Sequence, residues 1–237
     1  ARDAPPFSPP AVVELGLDGV VFVADFDNSL VRTLAPDGTT TTLVQRDGFS
    51  APFGLMFDGD RTLWIETDDD DNAVHSEETG TIWKLDLPTN ELTVIARNLG
   101  RPRGPALLSD GRIAMADHIH NVISILDPET GITTPLAGLR DTPGFANGQG
   151  NTARFAQPYD LIVNPDGDLL VTELDNHRIR KVTLDGTVTD YAGSGAAGSL
   201  DGPSAVATFD GPQAIAIASD HSIYVTDIRR SLIRRIK

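Results

Sequence analysis

The chain has 237 residues, a hydrophobic fraction of 40% and a formal net charge of −15 at pH 7. These values fit a globular domain with a substantial core and argue against disorder. The negative charge argues against electrostatic binding of nucleic acid or an anionic membrane. No apolar run approaches the roughly 18 residues that span a bilayer, so we expect no membrane insertion. Cysteine is absent, which excludes disulfides and thiolate metal sites.

The first residues, Ala1-Arg2-Asp3-Ala4-Pro5-Pro6, contain no apolar signal segment and read as a mature or trimmed N-terminus. A removed export signal therefore stays open. Together with the acidity of the chain, this start slightly favours a secreted or periplasmic location, without support from disulfides.

One ten-residue phrase recurs along the chain. It reads VADFDNSLVR at Val23–Arg32 and VTELDNHRIR at Val171–Arg180. Looser copies lie at 64–83, 115–124 and 225–234, and each copy follows a turn and an apolar run led by proline. A repeat of roughly 40–55 residues made of short strands predicts an all-β fold, a β-propeller.

Each repeat divides into four strands, a to d, and the fourth repeat shows the pattern most clearly. Pro158 opens strand a, and Asp-Gly turns follow strands a and c. The predicted blades cover about residues 10–45, 52–98, 102–138, 158–193 and 212–237 of one domain, 1–237. Helix-length segments with a 3.6-residue period are missing, so we expect almost no helix.

The fifth blade ends in strand c, at Lys237. A closed propeller usually completes its last blade with a strand from the other terminus. Residues Ala1–Ser8 are a poor closing strand because they contain two prolines and are followed directly by Pro9-Pro10. The sequence leaves open a five-bladed ring or a sixth blade outside this chain. The unpaired edge near Lys237 predicts a surface through which the chain could form an oligomer.

Two linkers share a second pattern. They contain Gly138, Asn147-Gly148, Ala153-Arg154-Phe155 and Gln157-Pro158, and Gly193, Asp201-Gly202, Ala207-Thr208-Phe209 and Gly211-Pro212. With the triplet Asn176-His177-Arg178, they resemble the NHL-repeat family of β-propellers. The resemblance is good in blades one, four and five, moderate in blade three and poor in blade two. It implies the fold and no single function, since such propellers include ligand- and protein-binding domains, sensors and a zinc-holding amidating lyase.

Blade two departs from this pattern. Its segment Phe49–Asp68 resembles part of the PhoX-type alkaline phosphatases, which are calcium-dependent propellers. That likeness implies a metal-dependent hydrolase as an alternative.

The long linkers predict where function lies. In a propeller the b–c turns and d–a linkers share one face, which carries Leu139–Gln157, Ser194–Gly211 and the blade-two insertion Asp68–Gly80. The residue after each opening proline is predicted to line the channel mouth on that face. These residues are Ala11, Phe53, Arg103, Tyr159 and Gln213. Arg103, Tyr159 and Gln213 are candidates for binding an anion or a small polar ligand, and the alternative is packing between blades.

An acidic run in blade two is the candidate metal site. Calcium takes six to eight oxygen ligands, and clustered Asp and Asn on a loop supply several. The run lacks the spacing of an EF-hand loop, so a solvated acidic loop is the alternative. The candidate ligands are Glu66, Asp68, Asp69, Asp70, Asp71 and Asn72.

Histidines and recurring acids complete the candidates. His75, His118, His120 and His177 fall in b–c turns, away from the axis, so a zinc site is not favoured. One acid is predicted at the end of each strand b. These acids are Asp25, Glu66, Asp117, Glu173 and Asp227. Repetition in every blade predicts a structural role, with backbone N–H groups or an arginine such as Arg32, Arg180 or Arg234 as partner.

The leading hypothesis is an NHL-like module that binds a small ligand or a protein through the long-loop face and the channel mouth. The alternative is a calcium-dependent propeller hydrolase, of phosphoesterase or lactonase type, or a lyase. The sequence has neither a phosphate-binding P-loop nor a Gly-x-Ser-x-Gly elbow with triad partners, so we expect no nucleotide cofactor.

Overall fold

The computed structural model describes residues 6–237, and the chain divides into two compact units, Ala1–Arg101 and Pro102–Lys237. Within the described residues the elements are short strands, and the helical elements are 3₁₀ turns of three residues. The expectation of almost no helix is therefore confirmed. No helix in residues 6–237 is long and apolar enough to cross a membrane.

Unit one contains two four-stranded antiparallel sheets, each ordered as in the sequence. A shared apolar core includes Phe22, Phe49, Ile65 and Trp83. The first sheet consists of β1 (Pro10–Leu15), β2 (Val21–Asp25), β3 (Leu30–Leu34) and β4 (Thr40–Val44). The second consists of β5 (Pro52–Phe57), β6 (Thr62–Thr67), β7 (Thr81–Asp86) and β8 (Glu91–Ala96).

Unit two contains three antiparallel sheets. The first consists of β9 (Pro102–Leu107), β10 (Ile113–Asp117), β11 (Val122–Asp127) and β12 (Ile132–Gly138). The second consists of β13 (Gly148–Gln149), β14 (Pro158–Val163), β15 (Leu169–Glu173), β16 (Arg178–Val182) and β17 (Thr187–Ala192). The third consists of β18 (Pro212–Ile217), β19 (Ile223–Asp227) and β20 (Leu232–Ile236). Linker strand β13 pairs with β17 and was not expected from the sequence.

Each proline-led repeat forms one sheet, and apart from β13 the strands of each sheet lie within one or two residues of the predicted blade limits. The opening proline pairs with the last residue of strand b, as Pro158 pairs with Glu173. The register then shifts before Leu161, so two residues of the inner strand bulge out of the ladder. The bulge of blade four contains Tyr159, one of the predicted channel-mouth residues.

Two predictions are not decided here. The proposed closing strand Ala1–Ser8 lies partly outside the described residues, and its described part is not a strand. Instead Ser8 N donates to Asp25 Oδ1 at 2.8 Å, so this segment packs on blade one. A single domain spanning 1–237 stays a prediction.

Candidate functional site

Blade four shows what the recurring acid does. Glu173 is fully buried at the end of strand b, and Arg180 Nη1 lies 2.9 Å from its Oε2. The other carboxylate oxygen accepts hydrogen bonds from Ala156 N at 2.9 Å and Asn176 Nδ2 at 2.7 Å. A buried carboxylate needs such partners because removing it from water is costly. The carboxylate therefore ties the linker, the b–c turn and strand c together.

The same contact recurs in blade one, whereas in blade five Asp227 accepts a hydrogen bond from Asp210 N at 2.7 Å and lies further from its arginine. Arg32 Nη1 lies 3.2 Å from Asp25 Oδ2, and the Asp227–Arg234 pair is longer, at 3.8 Å. A phenylalanine ring from the preceding linker lies 5.2 Å from the Arg234 guanidinium, and that residue is Phe209. The structural role predicted for these acids is confirmed in the three blades that keep the arginine.

The strand-end prediction is wrong for Glu66. In blade two the opening Pro52 pairs with Thr67, whereas Glu66 pairs with Gly54. A shift of one residue turns a side chain to the other face of a strand. Thr67 holds the strand-end position, and its Oγ1 accepts a hydrogen bond from Trp83 Nε1 at 2.9 Å. A neutral hydrogen bond thus replaces the ion pair in this blade.

Blade three keeps the acid and changes its partners. Ser124 stands where blades one, four and five have arginine. His120 Nδ1 lies 2.7 Å from Asp117 Oδ2, and both side chains are buried. Arg140 Nη1, from the following linker, lies 3.5 Å from the same oxygen. A histidine and a half-exposed arginine therefore take the place of the buried arginine.

The structure places the predicted channel-mouth residues at the bulges of the inner strands, except Arg103, which pairs with Ala116 just before the bulge of β9. In unit two Arg103 is buried, donates to the Pro102 carbonyl at 2.8 Å and lies 5.9 Å from the Tyr159 ring. His118 contacts the same ring edge-on, at 5.5 Å between centroids. Burial of Arg103 favours the packing interpretation for this residue, because its guanidinium is not at the surface.

The other two candidates also have structural contacts. In unit one the Phe53 ring lies edge-on to Phe26, with 6.1 Å between centroids. In unit two the backbone carbonyl of Gln213 accepts a hydrogen bond from Thr172 Oγ1 at 2.5 Å. The side-chain amide of Gln213 takes no part in this contact. The role of these residues in ligand binding stays a prediction.

The acidic run of blade two is held by positive and polar partners. Asp68 Oδ2 lies 2.7 Å from Arg101 Nη2, and Asp71 Oδ2 lies 2.5 Å from Arg97 Nη2. Asp70 accepts hydrogen bonds from the backbone of its own loop, which lower its pKa. The carboxylates therefore diverge to separate partners.

No grouped metal ligands are found among the described residues of this run. Within residues 6–237 no three or more His, Asp or Glu side chains are grouped so that they could hold a metal. The calcium prediction for Glu66, Asp68, Asp69, Asp70, Asp71 and Asn72 gains no support from the geometry and stays a prediction for metal analysis.

The predicted turn histidines occupy separate environments. His75 Nδ1 lies 2.6 Å from Asp69 Oδ1, and its Nε2 lies 3.1 Å from Arg101 Nη1. In unit two His177 Nδ1 accepts a hydrogen bond from Gly211 N at 3.3 Å. The contacts of each ring are explained by local structure.

Asp160 is a titratable residue that the sequence reasoning missed. It follows Tyr159 in the bulge of β14, where its Oδ2 accepts a hydrogen bond from Ile215 N at 2.8 Å and so joins β14 to β18. A Cβ at Gly104 would lie 2.0 Å from Asp160 Oδ1, so glycine allows β9 to approach. Burial raises the pKa of Asp160 to about 7.

A groove of about 370 Å³ opens beside blade four. It lies between the ends of strands β16 and β17 and the linker that follows them. Its volume is within the range of roughly 300–1,000 Å³ that is typical of small-molecule pockets. The residues that line it are Arg178, Asp190, Tyr191, Ala192, Gly193, Ser194, Ser204 and Ala205.

The Arg178 side chain is fixed at the wall of this groove. Its Nη1 donates to the Gly193 carbonyl at 2.8 Å and to Asp190 Oδ2 at 3.1 Å, and Nη2 donates to the Ser194 carbonyl at 2.6 Å. The Phe145 ring lies 4.4 Å from the guanidinium carbon. The guanidinium is therefore preorganised, and it orders the linker that forms the opposite wall.

The sequence indicated only half of this site. The long linker Ser194–Gly211 was predicted to carry function, and it supplies Ser194 and Ser204. Arg178, Asp190 and Tyr191 were missed because they lie in ordinary blade positions. A linker that begins Gly-Ser-Gly next to an arginine was the available signal, since small residues allow close approach of the guanidinium.

Comparisons with known proteins agree with the repeat pattern. The chain is 28% identical over 239 residues to the chloroplastic protein SUPPRESSOR OF QUENCHING 1 of Arabidopsis thaliana, covering 90% of this chain and 22% of that protein. It is 28% identical over 167 residues to human NHL repeat-containing protein 2, covering 70% of this chain and 19% of the relative. The chain thus spans about a fifth of the length of these curated relatives. No family model matches the sequence.

A solved structure extends the likeness to the fold. An auxiliary nutrient binding protein from Bacteroides thetaiotaomicron superposes with a TM-score of 0.78 at 18% identity, over 96% of this chain and 58% of that chain. The chain is an NHL-type β-propeller. Its five antiparallel sheets are the blades. At this identity the structural likeness establishes the β-propeller fold alone and leaves the function to the site.

Proposed function

We propose that this NHL-type propeller is a binding module whose blade-four groove binds a small polar molecule. The observation that supports the proposal is a groove with a preorganised wall. Arg178 is held by three hydrogen bonds and a stacked ring, so little side-chain freedom is lost when a ligand binds. The groove also lies at the long linker, on the long-loop side that the sequence favours for function.

The carboxylates favour binding over the alternative of a calcium-dependent hydrolase or a lyase. A calcium-dependent enzyme needs several oxygen ligands, carboxylates among them, that converge on one ion. Here Asp68 and Asp71 are bound by arginines, and the strand-end acids of blades one and four are bound by arginines as well. The nutrient-binding description of the Bacteroides structure is compatible with a binding role.

The test is ligand-observed NMR with a library of sugars, amino acids, carboxylic acids, phosphate esters and polyamines. Ser204→Trp places a large ring in the groove, and Ser199→Trp is the matched control because Ser199 is an exposed serine of the same linker that does not line the groove. We expect at least one class to bind the wild type and Ser199→Trp, and to lose binding in Ser204→Trp.

Binding that is unaffected by Ser204→Trp would place the ligand elsewhere and overturn the proposal, as would the absence of binding by every class. Elemental analysis of the purified protein, before and after chelation, tests the alternative. About one equivalent of calcium, with a lower melting temperature after chelation, would favour the hydrolase.

A further inference from the structure

We infer that the ligand of the blade-four groove is a neutral, polyhydroxylated compound of the sugar class, an inference that rests on the proposed function. Hydroxyl groups are the first observation. Tyr191, Ser194 and Ser204 all line the groove, and each hydroxyl both donates and accepts hydrogen bonds. A ligand whose own groups both donate and accept at several points complements such a wall.

The charges at the groove are already balanced. Asp190 Oδ2 lies 3.1 Å from Arg178 Nη1, and Asp190 Oδ1 lies 3.1 Å from Arg180 Nε. Arg180 also binds the buried Glu173. Two arginines therefore face two acids, and the local formal charge is zero.

This balance disfavours charged ligands of either sign. An anion would have to displace Asp190 from Arg178, against a chain whose net charge is −15. A cation would have to compete with two guanidinium groups for Asp190, since both oxygens of that carboxylate are engaged. A neutral molecule leaves these pairs intact and forms hydrogen bonds at their edges.

The groove also offers an apolar surface for the C–H faces of a sugar ring. The Tyr191 ring is partly buried and packs against the core that includes Ile179 and Phe209. A tyrosine side chain combines an apolar ring with a polar hydroxyl, so Tyr191 can offer either kind of contact to a ligand in the groove. A sugar ring presents the same combination, with hydroxyls at its rim and C–H groups on its faces.

The experiment is titration calorimetry with neutral monosaccharides and disaccharides, compared with charged analogues of the same ring: a sugar acid, a sugar phosphate and an amino sugar. We expect a neutral sugar to bind, and each charged analogue of that sugar to bind at least tenfold more weakly. Tyr191→Phe removes one hydroxyl and keeps the ring, so affinity should fall by roughly three- to tenfold, as for one neutral hydrogen bond.

Tyr224→Phe is the matched control because Tyr224 lies in blade five, outside the groove lining. This variant should bind the sugar with the affinity of the wild type. Charged analogues that bind as tightly as the neutral sugar would overturn the inference. So would a library ligand of another class that depends on Ser204 while no sugar binds, a result that would leave the proposed function standing. Failure of all classes would overturn both.

Discussion

Blades three and four of unit two bind a buried strand-end carboxylate with different partners. Both bury a carboxylate at the end of strand b, Asp117 in one and Glu173 in the other. Blade four binds it with Arg180, whose charge is permanent and fully buried. Blade three binds it with the His120 imidazole and with the half-exposed Arg140. The comparison indicates that the repeat requires a donor to the carboxylate, whereas the identity of the donor is open to change.

Removing the permanent charge should have the largest effect. Arg180→Met leaves the buried Glu173 carboxylate without its ion-pair partner, and breaking a buried pair costs about 3–5 kcal/mol of unfolding free energy. Urea unfolding followed by circular dichroism measures this loss. Arg229→Met is the control, because the Arg229–Asp175 pair is about half exposed and should contribute at most ~1 kcal/mol. Equal losses in the two variants would contradict the importance of the buried pair.

Asp160 extends the comparison to a carboxylate bound by backbone N–H groups in place of an arginine. Burial raises its pKa from 3.8 to about 7 in the folded state. A carboxyl whose folded pKa is raised binds its proton more tightly when folded, so the associated stability is present below pH 4 and is lost as the pH rises through 7. The loss should be ~2–4 kcal/mol, since one pKa unit corresponds to about 1.4 kcal/mol.

Asp160→Asn should remove most of this pH dependence. The measurement is the urea midpoint of wild type and variant at several pH values between 4 and 8. Asp220→Asn serves as control because Asp220 is exposed and a backbone hydrogen bond from Ser222 lowers its pKa, so this variant should keep the wild-type slope above pH 5. If the urea midpoint of Asp160→Asn still falls with pH as steeply as that of the wild type, another titrating group causes the pH dependence of stability.

Exchanging the donor in blade three should have the smallest effect. His120→Asn installs the residue found at the same place in blades one and four, where Asn28 and Asn176 donate to the acid. Because the donor is retained, the unfolding free energy should change by less than ~1 kcal/mol. His120→Leu removes that donor and should cost ~1–3 kcal/mol in the same assay. A larger loss for Asn than for Leu would show that the histidine does more than donate.

The sequence was sufficient to predict the blades, because short sequence signals mark the start and the turns of each repeat. Opening prolines, Asp-Gly turns and two-residue alternation act over a few residues, and each blade begins within a residue or two of its predicted position. The acid–arginine pairs of blades one and four were likewise readable, since both partners lie in one repeat phrase.

Glu66 shows where local reading stops. Glu66 fits the acid position of the repeat pattern, yet the pairing of β5 with β6 places Thr67 opposite the opening Pro52, at the strand end. Register is decided by both strands together, and a shift of one residue reverses the face of every side chain. The partners of the acidic run are also distant in the sequence, since Arg97 and Arg101 lie 26 and 33 residues beyond the carboxylates that they bind.

By itself, then, the sequence determined the all-β class, the NHL-type blades, the near absence of helix and the linker at which function was expected. Only the tertiary structure decided the burial of Arg103, the raised pKa of Asp160 and the groove formed by Arg178, Asp190, Tyr191 and Ser204. Strands and turns follow from neighbours in the chain, whereas desolvation, pKa and the shape of a groove depend on groups that meet only after folding.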